Sequence, residues 1–417
     1  MKIINIGDEL LIGQVTNFNA SFMGEHLSAA GFVVDETIII GDNAAQIWKS
    51  IEYAFQETEV VILTGGLGPT KDDITKEVIC RYFNTRLVMH DETLDFISDM
   101  LGRLHIPMSK INYRQALVPE IAKVLVNRNG TAPGLWIEQE GKILIALPGV
   151  PYEMQALMTE SVIPLLVEKM TRNQTIIHKV VQLAGIGEST LSDLIEPWEI
   201  SLPSYIKLAY LPRPGIIRLR LTGIHPDKEL LEKELQSNIE KLKEMVEEYI
   251  FSYEDDQMEE VVAKLFRKNR KQLSIAESCT GGYLSHLITS VPGSSQFFKG
   301  SIVSYSNDIK REILNVRELN LKKHGAVSEF VVNDMAINCM GLFDTDYSVA
   351  VSGIAGPSGG TVEKPVGTVW IAVATTTRII TKQFNFGTNG GRKKIIERAA
   401  IAALNMLRIE LLKDLRQ

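Results

Sequence analysis

The sequence predicts an α/β protein: two α/β domains with largely parallel sheets, joined by a small α+β module. Three observations carry that expectation. Residues 1–170 and 257–417 each alternate short apolar runs with amphipathic stretches, the rhythm of βαβ units. The stretch 171–250 breaks the rhythm with a strand whose apolar and polar residues alternate one by one. At 417 residues the chain exceeds the size at which one hydrophobic core keeps growing, and its 45% apolar and 23% charged residues are those of a compact globular protein.

Taken in order, Lys2 to Ile6 reads as a buried strand, followed by the segments Asn19 to Ala30, Phe32 to Ile40, Ala44 to Gln56 and the apolar strand Val60 to Leu63. Lys123 to Leu147 reads as a hairpin with Glu140-Gly141 at its turn. In the middle, Thr175 to Leu183 reads as a strand and Glu188 to Ile195 as a helix. An internal loop is expected at Leu211-Pro212-Arg213-Pro214-Gly215, before a half-buried strand in which Ile217, Leu219 and Leu221 alternate with Arg218, Arg220 and Thr222. An amphipathic helix with Leu231, Leu235, Leu242 and Met245 on one face completes the module, and the acidic Glu254-Asp255-Asp256 marks its boundary. Beyond it come a helix to Arg270, a strand ending near Glu277, a helix after Thr280, and a closing helix whose apolar face holds Ile396, Ala400, Ala403, Leu407 and Leu411.

The formal net charge of −7 lacks the basic footprint of a chain that grips phosphate backbones, so nucleic acid is not an expected partner. No apolar run approaches the roughly 20 residues needed to cross a bilayer, and the start MKIINIGDELL has no signal-peptide pattern. The three cysteines, Cys80, Cys279 and Cys339, are scattered without C-x-x-C spacing, which points to a reducing cytoplasm rather than a disulfide framework or a cysteine zinc site.

Chemistry concentrates in three C-terminal segments. Ala276-Glu277-Ser278-Cys279-Thr280-Gly281-Gly282 lies where a strand gives way to a helix; its glycines let backbone approach a ligand, and the N–H groups of a new helix suit a phosphate or a developing oxyanion. The same letters also serve as an ordinary N-cap and tight turn. Tyr305-Ser306-Asn307-Asp308-Ile309-Lys310 follows a strand, and a lysine there can deprotonate a hydroxyl if burial lowers its pKa; otherwise it is one more solvated charge. Ser352 to Gly360, with four glycines and a proline in nine residues, forms a constrained turn suited to cradling a phosphate or ribose.

Together with Arg392, these segments resemble the CinA C-terminal family of nicotinamide mononucleotide deamidases, over residues from about 257 to 415. The resemblance implies acyl transfer without cofactor: Ser278 as nucleophile, Lys310 as its base, Tyr305 as a helper and Arg392 as a stabiliser of substrate or oxyanion. It gives Thr280, Gly281 and Gly282 the oxyanion through their amides, and Gly353, Ala355 and Gly356 the substrate.

The front of the chain looks like the molybdopterin-binding-like domain of full-length CinA proteins, through Gly7-Asp8-Glu9-Leu10-Leu11, Asn17, Asn19, the segment Thr64 to Asp73 and Leu147-Pro148-Gly149-Val150-Pro151. For some members the family implies a metal-dependent ADP-ribose pyrophosphatase. Here Gly65, Gly66, Gly68 and Thr70 would form its nucleotide loop, and Asp72 and Asp73 would hold magnesium or a similar divalent metal. An Asp pair before a helix is equally a common N-cap. Residues 171–250 resemble the KH-type domain that joins the halves of these proteins. Gly185-Ile186-Gly187-Glu188 is not a basic Gly-x-x-Gly clamp, so a spacer or dimer-forming role is expected in place of RNA binding. Three readings follow: a cytoplasmic, homodimeric deamidase acting on small nucleotides; the same enzyme with a second, ADP-ribose-splitting activity in front; or a non-catalytic adaptor linked to competence or DNA damage.

Overall fold

Apolar residues of alternating direction along each strand decide how this chain is layered. The computed structural model describes residues 1–70, 72–103, 105–170 and 175–415. Its contacts divide the chain into two compact units, Met1–Ile177 with Gly223–Leu231, and His178–Thr222 with Glu232–Gln417.

The first unit contains β1 (Lys2–Ile6), β2 (Glu36–Ile40), β3 (Val60–Thr64), a separate two-stranded ribbon of β4 (Leu87–Met89) and β5 (Leu117–Pro119), then β6 (Lys123–Leu125), β7 (Gly134–Gln139) and β8 (Lys142–Leu147). The main sheet runs β2-β1-β3-β8-β7-β6, parallel from β2 to β8 and antiparallel beyond. Ile4, Ile6, Val61 and Leu63 pack on one face, and Ile3, Val60 and Ile62 on the other, so helices cover both. The hairpin of β7 and β8 turns at Glu140 (φ 51°) and Gly141 (φ 77°), the two positive φ values that match the strands' own twist.

The middle strands β9 (Thr175–Ala184), β10 (Ile206–Arg213), β11 (Ile216–His225) and β12 (Ile250–Ser252) form a sheet in the order β10-β11-β9-β12. Two local expectations are corrected. Leu211 to Arg213 continue the strand, and only Pro214 and Gly215 (φ 79°) turn, because one positive-φ glycine suffices for a two-residue connection. Met245 is 36% exposed; the buried face of the helix Lys228–Val246 passes instead through Leu231, Leu235, Leu242 and Val246.

In the remainder of the second unit, β13 (Leu273–Glu277), β14 (Phe298–Val303), β15 (Tyr347–Gly353), β16 (Thr368–Thr375) and β17 (Ile379–Asn385) form a sheet in the order β14-β13-β15-β16-β17. Here β13 pairs in parallel with both neighbours, while β15-β16 and β16-β17 are antiparallel. One face carries branched aliphatics, Ile275, Val349, Val351, Ile371 and Val373, against the helices Met258–Asn269 and Gly391–Leu415. The other carries alanines, Ala276, Ala350, Ala372 and Ala374, which leave room for the helix Glu329–Phe343 to approach closely. On the closing helix, Ile395 is buried and Ile396 only half-buried, a shift of one position from the expected stripe. Among the described residues no helix is long and apolar enough to cross a membrane.

Phe266 is fully buried, stacks on Phe297 at 5.5 Å and meets Tyr347 edge-on at 5.5 Å. Phe266→Ala is expected to lower the stability of this unit by about 3–5 kcal/mol in denaturant titration; a loss below 1 kcal/mol by the same estimate would show that the site collapses around the gap.

Candidate functional site

The order β14-β13-β15 means that the chain leaves β13 toward one neighbour and later returns on its other side, which opens a crevice at the carboxyl ends of β13 and β15. Ser278 is the first residue past β13, and its N–H donates to Val351 O of β15 at 3.0 Å. On the other side, Ser304 extends the ladder past β14, its N–H donating to Glu277 O at 2.7 Å. The short helix Asn307–Glu312 starts there, with Ser306 Oγ accepting from Ile309 N at 3.2 Å as its cap. Its one buried residue is Lys310, 1% exposed, pointing back under the strand ends.

Lys310 Nζ lies 3.0 Å from Ser278 Oγ, 2.6 Å from Ser304 O and 3.5 Å from Tyr305 O. No carboxylate pairs with it among the described residues, and burial pushes its pKa down to about 8. A neutral amine has two N–H donors and one lone pair. The two carbonyls can only accept, so they take the N–H groups and leave the lone pair facing the Ser278 hydroxyl. Burial acts oppositely on the adjacent thiol of Cys279, pushed up to about 12, which keeps it protonated and leaves the Ser278 hydroxyl as the candidate nucleophile of the turn.

The expected use of the helix N-terminus is corrected in detail. Glu277, fully buried, accepts from Gly282 N (3.0 Å), Leu284 N (3.1 Å) and Ser285 N (2.9 Å), and from Ser285 Oγ. The amide of Gly281 donates to Ser278 O at 3.2 Å. Gly281 and Gly282, at φ 62° and 98°, therefore shape the turn, but their N–H groups are already engaged. Among the described residues the amides of Cys279 and Thr280 donate to no other residue, and Thr280 Oγ1 is buried without a partner. These are the groups an oxyanion would meet. Glu277 carries no role in the sequence-based expectations, although a carboxylate just ahead of a serine and a new helix is an available signal for it.

Tyr305 also sits differently from its expected role. Its ring is 63% exposed, and its hydroxyl accepts from Arg392 Nη2 at 2.9 Å instead of meeting Ser278 or Lys310. Arg392 Nη1 donates to Gly356 O at 2.8 Å, so one guanidinium ties the tyrosine to the glycine-rich loop after β15. Within that loop, a side chain on Gly356 (φ 77°) would lie 2.6 Å from Val366 Cγ1, and one on Gly353 would lie 2.6 Å from Val369 Cγ2. Ala355 is buried, and Ser352 Oγ donates to Ala326 O at 2.7 Å, which fixes the loop's first turn.

In the first unit the same topology recurs, with Gly65 after β3 beside the end of β1. A Cβ on Gly65 (φ 110°) would lie 2.2 Å from Ile6 O, and one on Gly66 (φ 66°) 2.1 Å from Thr75 Oγ1. Asn19 Nδ2 donates to Thr64 Oγ1 (3.2 Å) and to Gly149 O (2.8 Å), gathering three separated motifs. The metal expectation does not fit this geometry. Asp73 Oδ2 accepts from Thr70 N (2.7 Å) and Thr70 Oγ1 (2.6 Å) and lies against Gly68, so it staples the loop, while Asp72 is exposed. Among the described residues no group of three or more His, Cys, Asp or Glu side chains gathers to hold a metal.

Three family models match the chain: a probable molybdopterin binding domain over residues 2–168, the damage-inducible protein CinA KH domain over 178–252, and the CinA C-terminal domain over 255–411. A CinA-like protein of Flavobacterium psychrophilum is 42% identical over 414 residues, covering 99% of this chain and 98% of the relative. A putative competence-damage inducible protein of Caldicellulosiruptor bescii is 40% identical, covering 98% of each chain. Among solved structures, the competence/damage inducible protein CihA of Agrobacterium tumefaciens is 35% identical over 37% of this chain and 96% of its own, with a TM-score of 0.36.

Glu277→Gln turns one acceptor oxygen into an N–H donor aimed at amides that also donate. Thermal or urea unfolding should register a loss of about 1–3 kcal/mol. Wild-type stability in that variant would mean that the buried carboxylate is not what caps the helix.

Proposed function

This chain belongs to the CinA family, and from that premise we propose that its C-terminal part is a serine amidohydrolase converting nicotinamide mononucleotide to nicotinic acid mononucleotide and ammonia. One observation carries the reading: a buried amine without a carboxylate partner stands 3.0 Å from the hydroxyl of Ser278. As Ser278 Oγ attacks the carboxamide carbon, Lys310 takes its proton. The oxyanion collects N–H donors from Cys279 and Thr280. When the tetrahedral adduct collapses, the C–N bond breaks, Lys310 returns the proton to nitrogen, and ammonia leaves. Water repeats the sequence on the acyl-serine: Lys310 removes its proton, the new C–O bond forms, the serine ester breaks as Lys310 returns that proton to Ser278 Oγ, and the carboxylic acid departs.

Arg392 suits the other end of the substrate. Its two hydrogen bonds go to a carbonyl and a phenol, and it pairs with no carboxylate among the described residues, so its charge remains available to a phosphate.

Ammonia release from nicotinamide mononucleotide tests the proposal. Ser278→Ala should abolish turnover, and Lys310→Met should lower kcat by about 10²–10⁴-fold, the usual worth of a positioned base. A purified wild-type chain without turnover would leave the non-catalytic adaptor as the surviving reading, and full activity in Ser278→Ala would remove the nucleophile assignment alone.

The pH dependence follows from Lys310. Its conjugate acid is inert as a base, so kcat/KM should rise about tenfold per pH unit up to about 8 and then level off. Stability has the same sign. The folded pKa of about 8 lies below the unfolded lysine value of about 10.4, so between these the unfolded chain binds more protons and folding gains as pH rises. A rate profile that stays flat below pH 8 would remove Lys310 as the base.

A further inference from the structure

A cleft of about 780 Å³ lies elsewhere in the second unit, between the end of the helix Lys228–Val246 with β12 and the last turns of the closing helix. Met245, Phe251, Tyr253, Ile409 and Leu412 give it an apolar wall, and Arg408 stands in that wall. Arg408 is 5% exposed. Its Nε donates to Asn405 Oδ1 at 3.0 Å and its Nη1 to Ile250 O at 3.1 Å. Both partners are neutral, and the remaining nitrogen, Nη2, donates to no group among the described residues.

A guanidinium taken out of water is normally matched by a carboxylate, since an unmatched charge in the interior is costly. Arg408 has no such match. The nearby Glu410 is committed to Arg378 and Lys413, and burial alone acts on the Arg408 pKa, lowering it to about 10. Around the mouth, Glu247 pairs with Lys243 at 3.5 Å, while Glu244 and Glu248 stand exposed in solvent. Those two carboxylates disfavour a heavily charged anion but not one that carries a single charge at its buried end.

We infer that this cleft binds an organic monoanion with an apolar or aromatic body, its carboxylate or sulfonate completing the hydrogen bonding of Arg408 through Nη2. The body lies along Phe251, Tyr253 and Leu412, and the charge sits against a largely buried guanidinium, where a charge-assisted hydrogen bond is strong. This site is separate from the Ser278 crevice and does not depend on the reaction proposed there.

Fluorescence titration of the full-length protein with anilinonaphthalene sulfonate, an aromatic monoanion, tests it. One saturable site per chain is expected, displaced by benzoate and not by the neutral benzamide of the same shape. Arg408→Gln and Met245→Glu should each weaken binding by about tenfold or more, the worth of one charge-assisted bond or one repelling carboxylate. Met245 is exposed at the rim, so Met245→Glu keeps the test open if Arg408→Gln fails to fold, and ammonia release should be unchanged in it. Binding that never saturates, that benzamide displaces as well as benzoate, or that Met245→Glu leaves intact overturns the site.

Discussion

The C-terminal half of this chain is organised around a lysine that has been denied a counter-ion. In water an ammonium is well solvated and a poor base; buried among carbonyls with no carboxylate to hold its proton, the Lys310 amine has a pKa drawn down to about 8. Every neighbouring element serves that condition. The β13-β14 ladder, carried on through Ser304, supplies carbonyl acceptors for the N–H groups, and the short helix Asn307–Glu312 turns the side chain inward. The strand-to-helix turn then sets the serine hydroxyl against the remaining lone pair. A carboxylate within hydrogen-bond reach of Nζ would undo all of this by holding the proton in place.

Burial alone does not make a lysine a base, and the chain contains its own comparison. Lys76 is also buried with its pKa lowered to about 8, and its Nζ donates to Gln115 O at 2.9 Å and Leu117 O at 3.0 Å. Among the described residues it meets carbonyls and no hydroxyl, so it pins the start of β5. The difference between the two lysines lies in what else reaches the nitrogen, which is a property of topology. At β13 the chain switches sides of the sheet, and there two loops from different strands can converge on one atom.

That distinction also explains what could be read from the sequence. A strand such as Val60–Thr64 announces itself because both faces are covered and four of its five residues are aliphatic. The hairpin at Glu140-Gly141 is equally legible, since its turn demands the residues that stand there. Ser278 and Lys310 could be nominated from local composition, but their 3.0 Å separation depends on strand order, which no local pattern contains. Arg213 and Met245 misled for the opposite reason: proline-rich composition and helical spacing are local signals, and pairing within the sheet and the exact packing face overrode them. For Asp72 and Asp73 the residue types suited a hard cation, yet Asp73 is spent within its own loop, a commitment visible only in the folded turn.

Glu277 shows why a helix N-terminus beside a nucleophile need not be its oxyanion site. Left uncapped, the amides of Gly282, Leu284 and Ser285 would compete for any anion entering the crevice, and a phosphate would bind there as readily as a reacting carbonyl. The buried carboxylate occupies those donors and shapes the turn, and among the described residues the Cys279 and Thr280 amides, one and two residues after Ser278, donate to no other residue. Donors placed this close to the attacking oxygen gain most from charge that appears during reaction, because they are fixed beforehand and need not reorganise. Under the proposed reaction the cap would thus match a general anion site to an acyl group on Ser278, and a substrate phosphate would be met farther out, where Arg392 bridges Tyr305 and Gly356.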